Sequence, residues 1–372
     1  MSIQIHTAVA LSTLTTLRVG GQAARLIETD SRDAFIDEAA RADAAGIPLL
    51  VLGGGSNLLA SDSAFDGVVL RDLRSHITTA TSGNKIQVTA TAGTTWDDLV
   101  TSTLEQGLAG LEALSGIPGT VGAAPVQNVG AYGCEVADTL HSIRAWDRAQ
   151  RRLVTLTAAD LALSYRSSRI KRSVETPDSA GHIWGPTGRW IVLDVTFTLK
   201  RAPTSAPVRY GELARALDVE VGHSADAWAV RDAVVRLRAS KGMVLDAADY
   251  DTWSAGSFFT NPLLTPAEAA TLPPEAPRFA AGGNDAGLIK TSAAWLIDHA
   301  GCPKGWAPDE CLNQDGTPRA SLSTKHVLAL TNRGSASARD IEALARAVRA
   351  KVRDCYGITL VPEPVALGIN WD

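Results

Sequence analysis

The sequence predicts an α+β chain of more than one domain, and three observations carry that expectation. Its 372 residues exceed what one hydrophobic core usually organises. Residues 189–199 alternate apolar and polar with a clean period of two, the mark of a half-buried strand. Apolar residues recur at helical spacing over about 225–240 and 338–356, with no internal repeat anywhere in the chain.

Taken in order, Pro48-Leu49-Leu50-Val51-Leu52 is a compact apolar run that ends abruptly at Gly53-Gly54-Gly55-Ser56-Asn57, as a buried strand delivering a backbone loop would. Residues 67–70 and 85–90 are further strand candidates, the second alternating. Thr94-Thr95-Trp96-Asp97 offers a capping-box start for a helix running to about Gln106-Gly107. A second, longer glycine-rich loop fills 115–133, and the strand of 189–199 follows. Residues 201–207 read as a linker or long loop. The helix of about 225–240 places Ala227, Val230, Val234 and Leu237 on one face. Proline- and glycine-rich loops fill 262–286. The last helix, about 338–356, carries Ile341, Leu344, Ala345, Val348, Val352 and Cys355 at helical spacing and stops at Gly357.

Composition narrows the function class. Hydrophobic residues make up 45% and charged residues 20%, an ordinary globular balance. A net charge of −5 gives no reason to expect nucleic acid or an anionic membrane as partner. No apolar run approaches the about 20 residues that span a bilayer, and the N-terminus lacks a signal-peptide pattern, so a cytoplasmic protein is expected. Cys134, Cys302, Cys311 and Cys355 lie far apart without a CxxC and read as reduced thiols. His299, Cys302, Cys311 and His326 match no compact zinc pattern, so no metal site is expected.

The first glycine loop is not a phosphate loop of the GxxxxGK type. It also fails GxGxxG, because Leu58 stands where the third glycine belongs. Alone it fits a pyrophosphate loop and a tight turn equally well. The loop of 115–133 adds Gln127, Asn128 and Tyr132 to its glycines. One large cofactor with a pyrophosphate and a flat ring accounts for both loops; domain packing accounts for each separately and less economically.

Three further residues invite a chemical reading. Arg166 follows Tyr165 at the end of a helix expected to open at Thr157-Ala-Ala-Asp160, where its guanidinium fork can orient a carboxylate. Glu363 sits between two prolines that limit its backbone. Ser257 lies between Gly256 and Phe258-Phe259. The basic cluster Arg236-Leu-Arg-Ala-Ser-Lys241 reads mostly as a solvated face.

Together these residues resemble the UDP-N-acetylenolpyruvoylglucosamine reductase family over nearly the whole chain. The resemblance rests on Thr16-Leu-Arg-Val-Gly-Gly21, Val51-Leu-Gly-Gly-Gly-Ser-Asn-Leu-Leu59, Ser115-Gly-Ile-Pro-Gly-Thr-Val-Gly122, Gln127-Asn-Val-Gly-Ala-Tyr-Gly133, Tyr165-Arg166, Gly256-Ser-Phe-Phe-Thr-Asn-Pro262, Ala294-Trp-Leu-Ile-Asp298 and Pro362-Glu363.

The resemblance implies a two-subdomain FAD-binding fold of the vanillyl-alcohol-oxidase type, not a Rossmann unit, with a C-terminal α+β substrate domain. It divides the chain into 1–72 with the tail 364–372, then 73–242, then 243–363. It implies FAD as cofactor and NADPH as co-substrate, in the reduction of an enolpyruvyl to a lactyl ether on a UDP-sugar of cell-wall synthesis. Gly53, Gly54, Gly55, Ser56, Asn57 and Leu58 would cradle the pyrophosphate. Ser115, Gly116, Ile117, Gly119, Thr120, Gly122, Asn128 and Gly130 would lie along the flavin. Arg166 and Glu363 match the carboxylate-activating pair and Ser257 the proton donor. Tyr132, Tyr165, Tyr210, Lys241, Asn261 and His326 match substrate contacts.

The family expectation is a monomer without nucleic-acid or membrane partners. Thr260 and Val365 depart from the lysine and arginine that many members carry there, which bears on substrate and cofactor contacts. A flavin oxidase that tethers FAD through a histidine in the first glycine loop is a rival, but 53–57 holds no histidine. A binding protein that lost turnover is a second rival, and the intact Arg166, Ser257 and Glu363 count against it.

Overall fold

The computed structural model describes residues 2–83, 85–282 and 285–371. It divides into two compact units. The first comprises Met1–Val9, Ala23–Gly54 and Phe65–Ala239; the second comprises Ala10–Gln22, Gly55–Ala64 and Ser240–Asp372.

Among the described residues, the first unit holds the two-stranded pair Gly130–Ala131 with Cys134–Glu135 and two larger sheets. In one, the strands run in the order Ile3–Ala10, Gln22–Thr29, Phe65–Asp72, Leu49–Val51, with the last three parallel. Helix Arg32–Ala44 covers it, capped by the Ser31 hydroxyl, which accepts from the Ala34 N–H. Its Phe35, Ala39 and Ala42 pack on Ile27, Leu49 and Leu70. The other sheet is antiparallel along its main path, in the order Arg152–Thr157, Leu140–Asp147, Trp190–Arg201, Lys85–Thr91, Ile77–Ser82. The long strand Trp190–Arg201 is the one announced by period-two alternation, and its buried side contributes Val195, Phe197 and Leu199 to the core. Phe197 takes the edge of Trp96 at a ring separation of 5.9 Å, while the Trp96 indole N–H donates to the Leu114 carbonyl.

Helix Trp96–Glu105 forms where expected, but the predicted capping box does not. Thr95 makes no side-chain cap; it pairs with Thr120 in an isolated bridge, and the Trp96 N–H donates to the Gly119 carbonyl at 3.0 Å. The helix start is therefore held by the second glycine loop rather than by a local side chain.

The second unit is built on helix Ala338–Tyr356. Ser337 and Asp340 cap it reciprocally, and Gly357 ends it in the left-handed region at φ 69°. Ile341, Leu344, Ala345, Val348 and Val352 are buried against Phe258, Phe259, Leu296 and Leu330. Cys355 departs from the expectation: at the last turn it is exposed. The predicted loops of 262–286 contain a short helix, Pro266–Ala270, with a capping box of its own. Five residues are too few for helical periodicity to show in the sequence; residues 283 and 284 lie outside the described set.

A long-range pairing closes this unit. Val365–Leu367 runs parallel to Leu58–Ala60, the strand that leaves the first glycine loop. The Thr16 hydroxyl donates to the Ser254 carbonyl at 2.6 Å, and the Asn332 amide donates to the Leu17 carbonyl at 3.1 Å. These bonds explain why residues 10–22 and 55–64 belong with the C-terminal part of the chain.

Candidate active site

In the first unit the two glycine-rich loops abut backbone to backbone. A Cβ on Gly53 would lie 2.4 Å from the Thr120 hydroxyl, and one on Gly54 would lie 2.8 Å from Gly119 Cα. At Gly54 the main chain of Gly119 leaves no room for a side chain, and at Gly53 the Thr120 side chain would have to move, so the glycines answer a non-local need for close approach. Within the second loop, Val121 N–H donates to the Thr94 carbonyl and Gly122 N–H to that of Ala92. Ser115 is buried, its hydroxyl donating to the Glu112 carbonyl at 2.7 Å.

Asn128 and Arg166 fix the far end of this loop. Asn128 is buried at φ 49°, a left-handed conformation that asparagine tolerates better than most residues. Its amide donates to Glu135 at 2.7 Å and to the Ser164 carbonyl at 3.1 Å, and its oxygen accepts from the Ala137 N–H. Arg166 donates to the Gly130 carbonyl at 2.7 Å and to the Asn128 carbonyl at 3.3 Å, its guanidinium 5.3 Å from the Tyr165 ring centre.

Arg166 does not sit at a helix end. Helix Ala158–Leu161 opens with the expected Thr157–Asp160 capping box but stops after four residues, where Ala162 turns left-handed at φ 43°. Arg166, itself at φ 53°, instead occupies a turn closed by reciprocal backbone bonds between Ser164 and Ser167.

Tyr132 meets Tyr210 edge to face at 5.6 Å. Burial pushes the Tyr132 hydroxyl up to about 12, against the opposing pull of Arg238. Tyr210 is exposed and stands just before helix Gly211–Leu217.

In the second unit the flank of Ser257 is strapped on both sides. The Phe258 N–H donates to the Leu328 carbonyl at 2.7 Å, and its carbonyl accepts from the Glu363 N–H at 2.8 Å. Phe259 bridges to Pro362, and Thr260 N–H donates to Val361. The Asn57 carbonyl accepts from the Val365 N–H at 3.0 Å, and its amide reaches the Glu363 carbonyl at 3.4 Å. The structure thus brings Asn57, Ser257 and Glu363 onto one backbone framework. Ser257 and Glu363 are half-buried, beside the fully buried Phe258 and Phe259. Gly256 adopts φ 70° with open space about it, a conformation that suits glycine at the turn into Ser257. Gly55 meets Leu14 so closely that no Cβ fits.

Asn261 accepts from the Ala293 N–H at 2.9 Å, at the start of helix Ala293–His299. His326 lies on a loop pinned from below. Its N–H donates to the Ser323 hydroxyl, and Asp251 accepts from the Thr324 N–H, the Thr324 hydroxyl and Arg333. Burial alone would raise the Asp251 carboxyl, but the Thr324 and Ser323 donors and Arg333 outweigh it and hold it below the ordinary range. Lys241 is half-buried, one residue beyond helix Ala227–Ser240.

Sequence reasoning missed Glu112, Asp97, Arg231 and Arg238. Arg238 corrects the reading of the basic cluster as a solvated face, because it is buried and its Nε donates to the Gly116 carbonyl at 3.2 Å. The available signal was its spacing: 231 and 238 continue the face of Ala227, Val230 and Val234. Glu112, also buried, accepts from Gly110 and Ala206 N–H groups at 2.6 Å each.

Residues 23–157 match the model of an FAD binding domain, and residues 248–367 match that of the UDP-N-acetylenolpyruvoylglucosamine reductase C-terminal domain. A UDP-N-acetylenolpyruvoylglucosamine reductase of Cutibacterium acnes is 49% identical over 361 residues, covering 97% of this chain and 89% of the relative. One from Streptomyces coelicolor is 49% identical over 381 residues, covering 98% and 91%. Among solved structures, the corresponding reductase of Thermus caldophilus aligns over 99% of both chains with a TM-score of 0.64 and 25% identity.

Proposed function

The chain belongs to the UDP-N-acetylenolpyruvoylglucosamine reductase family, and from that premise we propose how its residues divide the work of the reaction. It is an FAD-containing, NADPH-dependent oxidoreductase of peptidoglycan precursor synthesis acting on a sugar nucleotide. The glycine loops fit the cofactor: the backbones of Gly54 and Gly119 meet with no room for a Cβ, and a Cβ on Gly53 would press on the Thr120 hydroxyl, so the loops offer bare backbone to a pyrophosphate. Gly53 to Leu58 would hold the pyrophosphate, and the loop from Ser115 to Gly130 would hold the flavin. FAD, when bound there, would supply the redox chemistry that links NADPH to the terminal vinyl carbon of the enolpyruvyl ether.

Hydride arrival drives negative charge onto the substrate carboxylate as an enediolate. Arg166 and Glu363 activate that carboxylate, and the Arg166 fork, aimed by the Asn128 and Gly130 carbonyls, supplies the positive charge. Ser257 Oγ then gives its proton to the α-carbon and is reprotonated from water, completing the lactyl ether. Serine is a weak acid, so placement must do what its pKa does not. Buried Phe258 and Phe259 keep water away from its flank.

Tyr132, Tyr165, Tyr210, Lys241, Asn261 and His326 contact the sugar nucleotide. The enzyme works in the cytoplasm as a monomer; a solution mass of two chains would overturn the second statement. No helix among the described residues is long and apolar enough to cross a membrane.

The observation that carries the assignment is the backbone strap joining the flank of Ser257 to Glu363. Ser257→Ala tests it. Flavin reduction by NADPH should proceed as in the wild type, while reduction of the enolpyruvyl sugar nucleotide should fall by about 10²-fold or more. Normal turnover by this variant would remove Ser257 as the proton donor.

A further inference from the structure

The peptide of Gly116 is gripped from both sides by charged side chains that no step above uses. Gly116 stands at φ 68° in the loop proposed to lie along the flavin. Its N–H donates to Asp97 Oδ1 at 2.7 Å, and its carbonyl accepts from Arg238 Nε at 3.2 Å. The other Asp97 oxygen accepts from Arg231 Nη2 at 2.6 Å, and the same nitrogen donates to the Thr101 hydroxyl at 3.0 Å. Asp97 lies in the first turn of helix Trp96–Glu105; Arg231 and Arg238 lie two turns apart on helix Ala227–Ser240.

The arrangement is unlike a surface ion pair. Arg231 is 17% exposed at its side chain, and burial lowers the pKa of the Arg238 guanidinium, with Tyr132 and Asp97 opposing the shift. Buried guanidinium groups are costly to desolvate and persist where their donors are committed to fixed acceptors. Here Arg238 Nε serves a peptide carbonyl, and Arg231 Nη2 serves the Thr101 hydroxyl and the carboxylate that holds the same residue's N–H. A left-handed glycine is the freest backbone position in a loop, so it gains most from being clamped. Separately, Glu112, just before the loop, accepts from the Ala206 N–H.

We propose that Asp97 and Arg231, with Arg238 as the opposing jaw, are positioning residues that set the Gly116 peptide against the flavin. The proposal rests on the reading that the loop of 115–122 lies along the cofactor. Hydrogen exchange of the full chain with and without FAD tests that reading first. If FAD does not protect 115–122 in the wild type, the reading fails and the proposal falls with it.

With that protection established, Arg231→Met, Arg231→Lys and Asp97→Asn are compared as holoenzymes. Arg231→Met and Asp97→Asn should release FAD at about tenfold lower dilution factors than the wild type. Both should shift the flavin midpoint potential and alter its visible circular dichroism, and Arg231→Lys should restore most of each effect. A purely structural role would lower the melting temperature without moving the potential of the flavin that stays bound. Unchanged FAD release, potential and dichroism in Arg231→Met and Asp97→Asn would overturn the proposal while leaving the loop reading intact.

Discussion

Replacing Gly54 with alanine tests the cofactor cradle through a single methyl group. The added carbon would lie 2.8 Å from Gly119 Cα, 3.3 Å from Gly119 N and 3.5 Å from Gly119 C, all main-chain atoms. Carbon atoms pack at about 3.5–4.0 Å, so the two loops must part by roughly 0.7–1.2 Å. Neither side yields easily. The Gly119 carbonyl accepts from Trp96 N–H, and the next residues are tied to Thr94 and Ala92. Gly54 itself is outside the left-handed region, so the penalty is steric and not torsional. Overpacking of this kind costs about 1–3 kcal/mol. Because the strain falls on the surface that would meet the pyrophosphate, FAD affinity should drop by about 10- to 100-fold. Fluorescence of released FAD on serial dilution measures it directly. Gly282→Ala is the control, since its Cβ would meet nothing within 4 Å. Wild-type FAD retention by the Gly54 variant, with the control also unchanged, would refute the cradle.

Two further outcomes follow from buried titratable groups. Asp147, Asp251 and Asp340 are each held below the ordinary carboxylate range, because hydrogen bonds and arginine partners outweigh the opposing effect of burial. A depressed folded pKa gives stability that is complete above the unfolded value of about 3.9 and is lost as pH falls through the folded value. Urea midpoints should therefore carry no loss from these groups between pH 8 and 5 and fall below about pH 4, less steeply in Asp251→Asn; an unchanged acid slope in that variant would count against the assignment. Cys355 is exposed, whereas Cys134, Cys302 and Cys311 are buried with thiols pushed up to about 11. A disulfide reagent at mild pH should titrate one fast thiol per chain, and Cys355→Ser should abolish that phase; a second fast thiol would contradict the burial.

What the sequence showed and what it hid divide along the range of the forces involved. Trp190–Arg201 and helices Ala227–Ser240 and Ala338–Tyr356 were legible because one neighbour, water or core, imposes a period on each. The short helix before Arg166 was legible in its capping box but not in its length, since a left-handed alanine at 162 leaves no compositional trace.

The grouping of residues 10–22 and 55–64 with the tail 364–372 came from the family resemblance and was not legible in the residues themselves. It depends on Leu58–Ala60 finding Val365–Leu367 across some three hundred residues, and neither strand says in its own three residues which partner it will take. Arg238 was misread for a related reason. A basic cluster looks solvated until the helix face is counted, and the carbonyl it serves lies on another element. The first glycine loop shows the same limit from the other direction. Its triple glycine fitted a pyrophosphate loop and a tight turn equally, and no inspection of 53–55 separates them. The close approach of Gly54 to Gly119 explains why a side chain is excluded there, and Gly119 belongs to the second loop. The two loops had to be read together because the constraint on each is the backbone of the other.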